Sequence, residues 1–116
     1  MKTILIVEDN PINQRLFFDV LQAYGAHPIK ALDAKEALRI LTQTTPDLIL
    51  MDIQLPHISG IDLVKHIRAL PRFKHLPIIA TTAFAFEGKK EELLQQGFDD
   101  VLFKPIDIHA LKKLCE

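Results

Sequence analysis

The sequence predicts an α/β fold in which a doubly wound, five-stranded parallel sheet carries five helices on its two faces. Three observations lead there. Five apolar runs are each too short for a helix and alternate with stretches of helical periodicity, which is the pattern of successive βα units. The central run, Asp47 to Met51, is almost wholly apolar, as a strand buried on both faces of a parallel sheet must be. Four of the five runs then close on side chains with chemistry, Glu8-Asp9, Asp52, Thr82 and Lys104, and the carboxyl ends of the strands are where open parallel sheets bind ligands.

Taken in order, Thr3 to Val7 is an unbroken aliphatic strand ending in Glu8-Asp9. Asn10-Pro11 supplies an N-cap and a proline at the first helical position, after which Ile12, Leu16 and Val20, with Phe17, Leu21 and Tyr24, keep helical spacing until Gly25. His27 to Ala31 is a weak strand expected at or near the sheet edge, and Asp33 with Glu36 forms a capping box that opens a helix through Leu41. The strand from Asp47 to Met51, flanked by Pro46 and Pro56, ends in the carboxylate of Asp52; a charge is costly inside a core, so this Asp is expected at the strand's carboxyl end. Ser59 caps a helix carrying Ile61, Val64, Ile67 and Leu70, ended by Pro71. Pro77 to Thr82 is the fourth strand. Residues 87 to 96 hold many charges and only Leu93 and Leu94 as large apolar groups, so this helix has a thin stripe for the sheet, is expected to be the loosest, and stops at Gly97. Val101 to Phe103 is a short fifth strand leading into Lys104-Pro105, and Asp107 opens a last helix built on Ile108, Leu111 and Leu114.

Composition narrows the function. The 116 residues form one domain over 1–116, long enough to remove roughly two-thirds of the unfolded surface from water. With 48% hydrophobic and 25% charged residues and a net charge of -1, the chain is neither disordered nor suited to a polyanion, which argues against direct nucleic-acid binding. The single Cys115 makes no internal disulfide, and no basic leader or long apolar segment marks a signal peptide or membrane span, which favours the cytoplasm.

Right-handed crossovers bring the ends of strands one, three, four and five to one rim, collecting Glu8, Asp9, Asp52, Thr82 and Lys104. Singly, an Asp after a strand is often a helix cap and Lys104 could be a solvated charge. Three acids, a hydroxyl and a lysine at the same end of separate strands is a combination that random placement rarely makes.

Here the chain resembles the receiver domains of two-component response regulators. The matching residues are Ile4-Leu5-Ile6-Val7-Glu8-Asp9-Asn10, Asp52 with Leu55-Pro56 and Ser59-Gly60, Thr82-Ala83, and Lys104-Pro105. Through Asp52-Ile53-Gln54-Leu55-Pro56 and Thr82-Ala83-Phe84-Ala85 it is most similar to the short, stand-alone DivK-type regulators, while receivers within hybrid histidine kinases carry similar segments, including an Asn at the place of Asn13. The resemblance implies a flavodoxin-like sheet of order 2-1-3-4-5. It implies that Asp52 takes a phosphoryl group from a phosphohistidine on a histidine kinase or histidine phosphotransferase, and that output comes from binding a downstream protein, in cell-cycle or developmental control. It further implies Mg²⁺ held by Asp9, Asp52 and the Gln54 backbone carbonyl, with Glu8 acting through water. Lys104 and Thr82 would face the phosphoryl oxygens, across a cis Lys104-Pro105 bond. Such a domain transfers phosphate only to and from itself and is not an enzyme in the turnover sense.

The residues alone already suit that chemistry, because clustered hard oxygens without thiols or suitably spaced histidines favour Mg²⁺. Other classes fit less well. An aspartate-nucleophile phosphatase usually has a second Asp two residues after the nucleophile as general acid, and this chain has Gln54. The four glycines at 25, 60, 88 and 97 form neither a dinucleotide fingerprint nor a P-loop. A degenerate docking module would be expected to lack one of the acids or Lys104. The five histidines have no metal-site spacing, and the phenylalanines of the first helix read as core. One departure stands out: the family usually carries Tyr or Phe three residues before the lysine, and Val101 is there instead.

Overall fold

The computed structural model describes residues 1–116. Five strands, β1 (Thr3–Val7), β2 (His27–Ala31), β3 (Leu48–Asp52), β4 (Ile78–Thr82) and β5 (Asp100–Phe103), form one parallel sheet in the order β2-β1-β3-β4-β5. The helices between and after them are α1 (Pro11–Ala23), α2 (Ala34–Leu41), α3 (Gly60–Arg68), α4 (Lys89–Gln95) and α5 (Ile108–Leu114). The topology is the flavodoxin-like one expected, with β2 at an edge.

Strand alternation divides the core in two. Ile4, Ile6, Leu48, Leu50 and Ile79 face α1 and α5 through Phe17, Leu21 and Leu111. Leu5, Val7, Ile49, Met51, Ile78, Ala80 and Val101 face α2, α3 and α4. All five residues of β3 are buried, so the centre of the sheet is closed on both sides and a polar residue is tolerated only where the strand ends.

The expected caps are in place: the side chains of Asn10, Asp33, Ser59 and Asp107 each accept a backbone N–H from the first turn of their helix. Several boundaries differ from the sequence reading. On α1 the buried row is Gln14, Phe17 and Leu21, whereas Ile12, Leu16 and Tyr24 are exposed, because the Gln14 amide finds buried carbonyl partners and turns the helix about its axis. Helix α3 ends at Arg68, ahead of the exposed Leu70, and Leu63 rather than Leu70 completes its core row. An unforeseen 3-10 turn over Pro71–Phe73 follows and buries Phe73. Helix α4 is shorter than 87–96, and Leu94 is exposed, leaving Leu93 as its apolar anchor.

Arg68 explains the end of α3. Its guanidinium donates to the carbonyls of Gly97 (3.0 Å), Phe73 (3.1 Å) and Leu76 and to the Asp99 carboxylate (2.7 Å), which in turn accepts the Ile78 N–H (2.8 Å). One charged side chain thereby joins α3, the 3-10 turn, the entry to β4 and the loop before β5.

Candidate functional site: an acidic pocket bridged by a lysine

Three strands deliver the central residues. Glu8 follows β1, Asp52 ends β3 and Lys104 follows β5, all at the carboxyl rim. The Lys104 ammonium donates to Glu8 Oε1 at 2.9 Å and to Asp52 Oδ2 at 3.0 Å. The remaining carboxylate oxygens are held from below: Glu8 Oε2 accepts the Asn10 N–H (3.1 Å), and Asp52 Oδ1 accepts the Gln54 N–H (2.9 Å). Carboxylate oxygens of Glu8, Asp9 and Asp52 lie within 4.8 Å of one another, with Asp9 on the exposed side. The Lys104-Pro105 peptide is cis.

The expected residues are therefore not equally close. Glu8, Asp9, Asp52 and Lys104 form one constellation. Gln54 contributes its backbone at the rim while its side chain is exposed. Thr82 is fully buried at the end of β4; its carbonyl accepts the Lys104 N–H (2.8 Å), and its hydroxyl accepts the Phe84 N–H (3.0 Å) rather than meeting Asp52 or Lys104. The buried Gln14, beside Glu8, was not among the sequence-derived candidates.

Three carboxyl groups surround one ammonium, in a pocket where Glu8 and Asp52 are nearly inaccessible to water. Burial is the main reason the Glu8 carboxyl is pushed up to about 7; its bonds from Lys104 and Asn10 oppose the rise, and the Asp52 charge adds to it. Burial by itself would lower Lys104, but its bonds to the two carboxylates outweigh that and raise it. The donor set is all carboxylate oxygen, with no thiol or imidazole, and fits a hard divalent cation such as Mg²⁺.

A pH dependence follows for the metal-free protein. Glu8 binds its proton more tightly folded than unfolded, so its contribution to stability is full below 4.5 and is lost as pH rises through about 7. The denaturation midpoint of metal-free protein should fall across that window, and Glu8→Gln should flatten the fall. A decline that persists unchanged in Glu8→Gln would assign it to another group.

A doubly wound sheet whose carboxyl rim sets an aspartate, two further acids and a bridging lysine together defines a receiver-type α/β domain. The chain belongs to the response regulator receiver domain family, which matches residues 4–116. It is 42% identical over 107 residues to the polar-differentiation response regulator DivK of Brucella anthropi, covering 92% of this chain and 87% of that protein. Among solved structures, it is similar to the receiver domain of the sensor histidine kinase PA1611 of Pseudomonas aeruginosa, which has a magnesium ion coordinated in its active-site cleft (TM-score 0.89, 37% identity, covering 98% of this chain and 93% of that one). It is also similar to the co-crystal of the Saccharomyces cerevisiae phosphotransfer protein Ypd1 with the receiver domain of Ssk1 (TM-score 0.88, 34% identity, covering 98% of this chain and 86% of that one). No helix is long and apolar enough to cross a membrane.

Proposed function

We propose that this receiver accepts a phosphoryl group on Asp52 from a phosphohistidine of a histidine kinase or histidine phosphotransferase, and signals by binding a downstream protein. The observation that carries this reading is the Lys104 ammonium held at once by Asp52 and Glu8, a cation fixed against the oxygen that would become phosphorylated. In the transfer, an Asp52 carboxylate oxygen bonds to phosphorus as the phosphorus–nitrogen bond of the donor breaks, and the imidazole leaves with the electron pair and takes up a proton. Lys104 follows the charge onto the phosphoryl oxygens, and the Thr82 hydroxyl donates to one of them after leaving Phe84. Asp9, Asp52 and the Gln54 carbonyl, with Glu8 through water, would hold Mg²⁺, which when bound supplies the further positive charge that three phosphoryl oxygens require. Nothing in this scheme turns over an external substrate, so the domain is a switch rather than an enzyme.

Exposed Leu16 lines a groove with Asn13, Phe17, Ala83, Lys104, Pro105 and Ile106, which gives a phosphodonor protein an apolar seat beside the site. The likeness to a polar-differentiation response regulator supports a role in developmental control, while a cell-cycle role and a cytoplasmic location rest on the sequence reading. The likeness to the PA1611 receiver favours a second reading, the receiver module of a hybrid kinase or phosphorelay. Intact-mass spectrometry with acetyl phosphate and Mg²⁺ tests the common core: wild type should gain one phosphoryl group, whereas Asp52→Asn or added EDTA should prevent it. Labelling of Asp52→Asn equal to wild type removes the basis for the proposal. Leu16→Asp should keep acetyl phosphate labelling yet accept phosphate poorly from a phosphorylated histidine phosphotransferase.

With Val101 in place of an aromatic switch, readout runs through the Thr82–Phe84 bond. A hydroxyl drawn to the phosphoryl group releases the Phe84 N–H and loosens the exposed segment 83–88 and α4, whose one buried large apolar side chain is Leu93. Val101 and Phe103 share a face of β5, so Phe103 is the competing route. On adding beryllofluoride, NMR shift changes over residues 83–96 should be suppressed in Thr82→Ala, while Val101→Ala and Phe103→Leu each alter the coupling by less than about 1 kcal/mol. Equal silencing by Phe103→Leu would make Phe103 the switch.

A further inference from the structure

Successive side chains of a strand point to opposite faces of a sheet. Glu8 and Asp9 are consecutive, yet their carboxylates share one pocket within 4.8 Å of each other and of Asp52. Strand alternation therefore does not continue here: β1 ends at Val7 and the chain bends at Asp9. The peptide unit between the two acids joins the Glu8 carbonyl to the Asp9 N–H.

That carbonyl is gripped by Gln14. The side-chain amide of Gln14, on the buried face of α1 and only 7% exposed, donates to Glu8 O at 3.2 Å and to Ala31 O at 3.1 Å. Ala31 is the last residue of β2, and its carbonyl also accepts the Glu8 N–H at 3.1 Å. The Gln14 amide thus continues the β1–β2 ladder one step past its end and ties the Glu8–Asp9 peptide to the neighbouring strand. Gln14 is in turn held by α1, whose first turn is fixed by the Asn10 cap directly after the two acids. An apolar residue on this row would serve the core equally well but would take the Gln14 donor from the Glu8 carbonyl and leave the Ala31 carbonyl with the Glu8 N–H alone.

We infer that Gln14 is the positioning residue of the acidic pocket: its buried amide holds the Glu8–Asp9 peptide in the orientation that turns two consecutive carboxylates to the same side. The magnesium consequence rests on the function proposed above, because the same orientation presents both acids to the cation; partners that orient metal-binding groups typically change affinity by about tenfold or more when removed.

The test separates the two. In metal-free protein, the residual dipolar coupling of the Asp9 N–H reports the orientation of this peptide. It should change in Gln14→Met, which keeps the length and loses the donors, and in Gln14→Asn, whose amide is too short to reach. Val20→Ala, a half-buried change on the same helix, should leave the coupling as in wild type and so controls for a general loosening of α1. Magnesium titration followed by NMR should give a dissociation constant about tenfold weaker in Gln14→Met and unchanged in Val20→Ala. An unchanged Asp9 coupling in both Gln14 variants overturns the inference, whatever the magnesium affinity does. A changed coupling together with a wild-type protein that shows no magnesium-dependent shifts at Glu8, Asp9 and Asp52 upholds the positioning role and refutes the metal site instead.

Discussion

Gly60→Ala is expected to cost about 3 kcal/mol of stability and to slow phosphoryl uptake roughly a hundredfold in whatever fraction stays folded. A Cβ at position 60 would stand 2.4 Å from the Asp52 carbonyl oxygen and 2.6 Å from Ile53 Cα. Both are backbone atoms, so no side-chain rotation can relieve the overlap. Either α3 must back away from the end of β3 or Asp52 must move. The Gly60 N–H also donates to the Ile53 carbonyl at 2.9 Å, so a retreat of α3 breaks the bond that closes this loop. The first response loosens the loop that follows Asp52, and the second displaces the residue proposed to accept phosphate. Gly88 is the control: it has left-handed φ, but its added Cβ would meet nothing within 4 Å, so Gly88→Ala should cost only about 1 kcal/mol from backbone strain. Urea unfolding and acetyl phosphate labelling measure the two effects. A Gly60→Ala protein within about 0.5 kcal/mol of wild type and labelled at the wild-type rate would show that the junction yields freely.

Much of this arrangement could be read before any coordinates, because it depends on local pattern. Strands β1 and β3 are nearly continuous aliphatic runs, and β4 is one up to its two closing threonines; burial on both faces permits little else. The caps at Asn10, Asp33, Ser59 and Asp107 announce helix starts through side chains whose chemistry is confined to a few residues of sequence. The rim constellation was legible for the same reason, since the topology brings every strand's carboxyl end together. What stayed hidden depends on long-range partners. Gln14 and Arg68 look in sequence like polar residues on a helix surface; only the fold supplies the carbonyls of Glu8 and Ala31 for one and of Gly97, Phe73 and Leu76 for the other. Periodicity set Ile12 and Leu16 at helical spacing with Val20, but it records that a row is apolar, not which way the helix is turned. Likewise, the engagement of Thr82 by Phe84, rather than by the acidic pocket, follows from where the chain bends after β4.

Lys104→Met carries the second large effect, and its size depends on pH. Removing the ammonium leaves the carboxylates of Glu8 and Asp52, 1% and 4% exposed, facing each other without their cation. Breaking a buried pair by deleting one partner typically costs about 3 to 5 kcal/mol; the partial exposure of Lys104 puts this case at the lower end, about 3 kcal/mol at neutral pH without metal. The bond from Lys104 opposes the rise of the Glu8 pKa, so without it Glu8 is expected to hold its proton to still higher pH. Such a group has a raised folded value, and its stabilising contribution is present at low pH and lost as pH rises. The deficit relative to wild type should therefore shrink as the solution is acidified and grow toward neutrality. Mg²⁺ should also restore part of it, by mass action on the same carboxylates. Phosphoryl uptake should not recover with stability, because the cation that would follow charge onto the phosphoryl oxygens is gone. Lys104→Arg separates these roles: its planar guanidinium can still pair with the carboxylates, so stability should be largely kept, while its altered reach and shape should leave labelling well below wild type. Denaturation of the metal-free variants across pH, alongside acetyl phosphate labelling with Mg²⁺, reads both consequences. If Lys104→Met matches wild type in stability at neutral pH and in labelling, then the lysine bridge neither holds the acidic pocket together nor takes part in its chemistry.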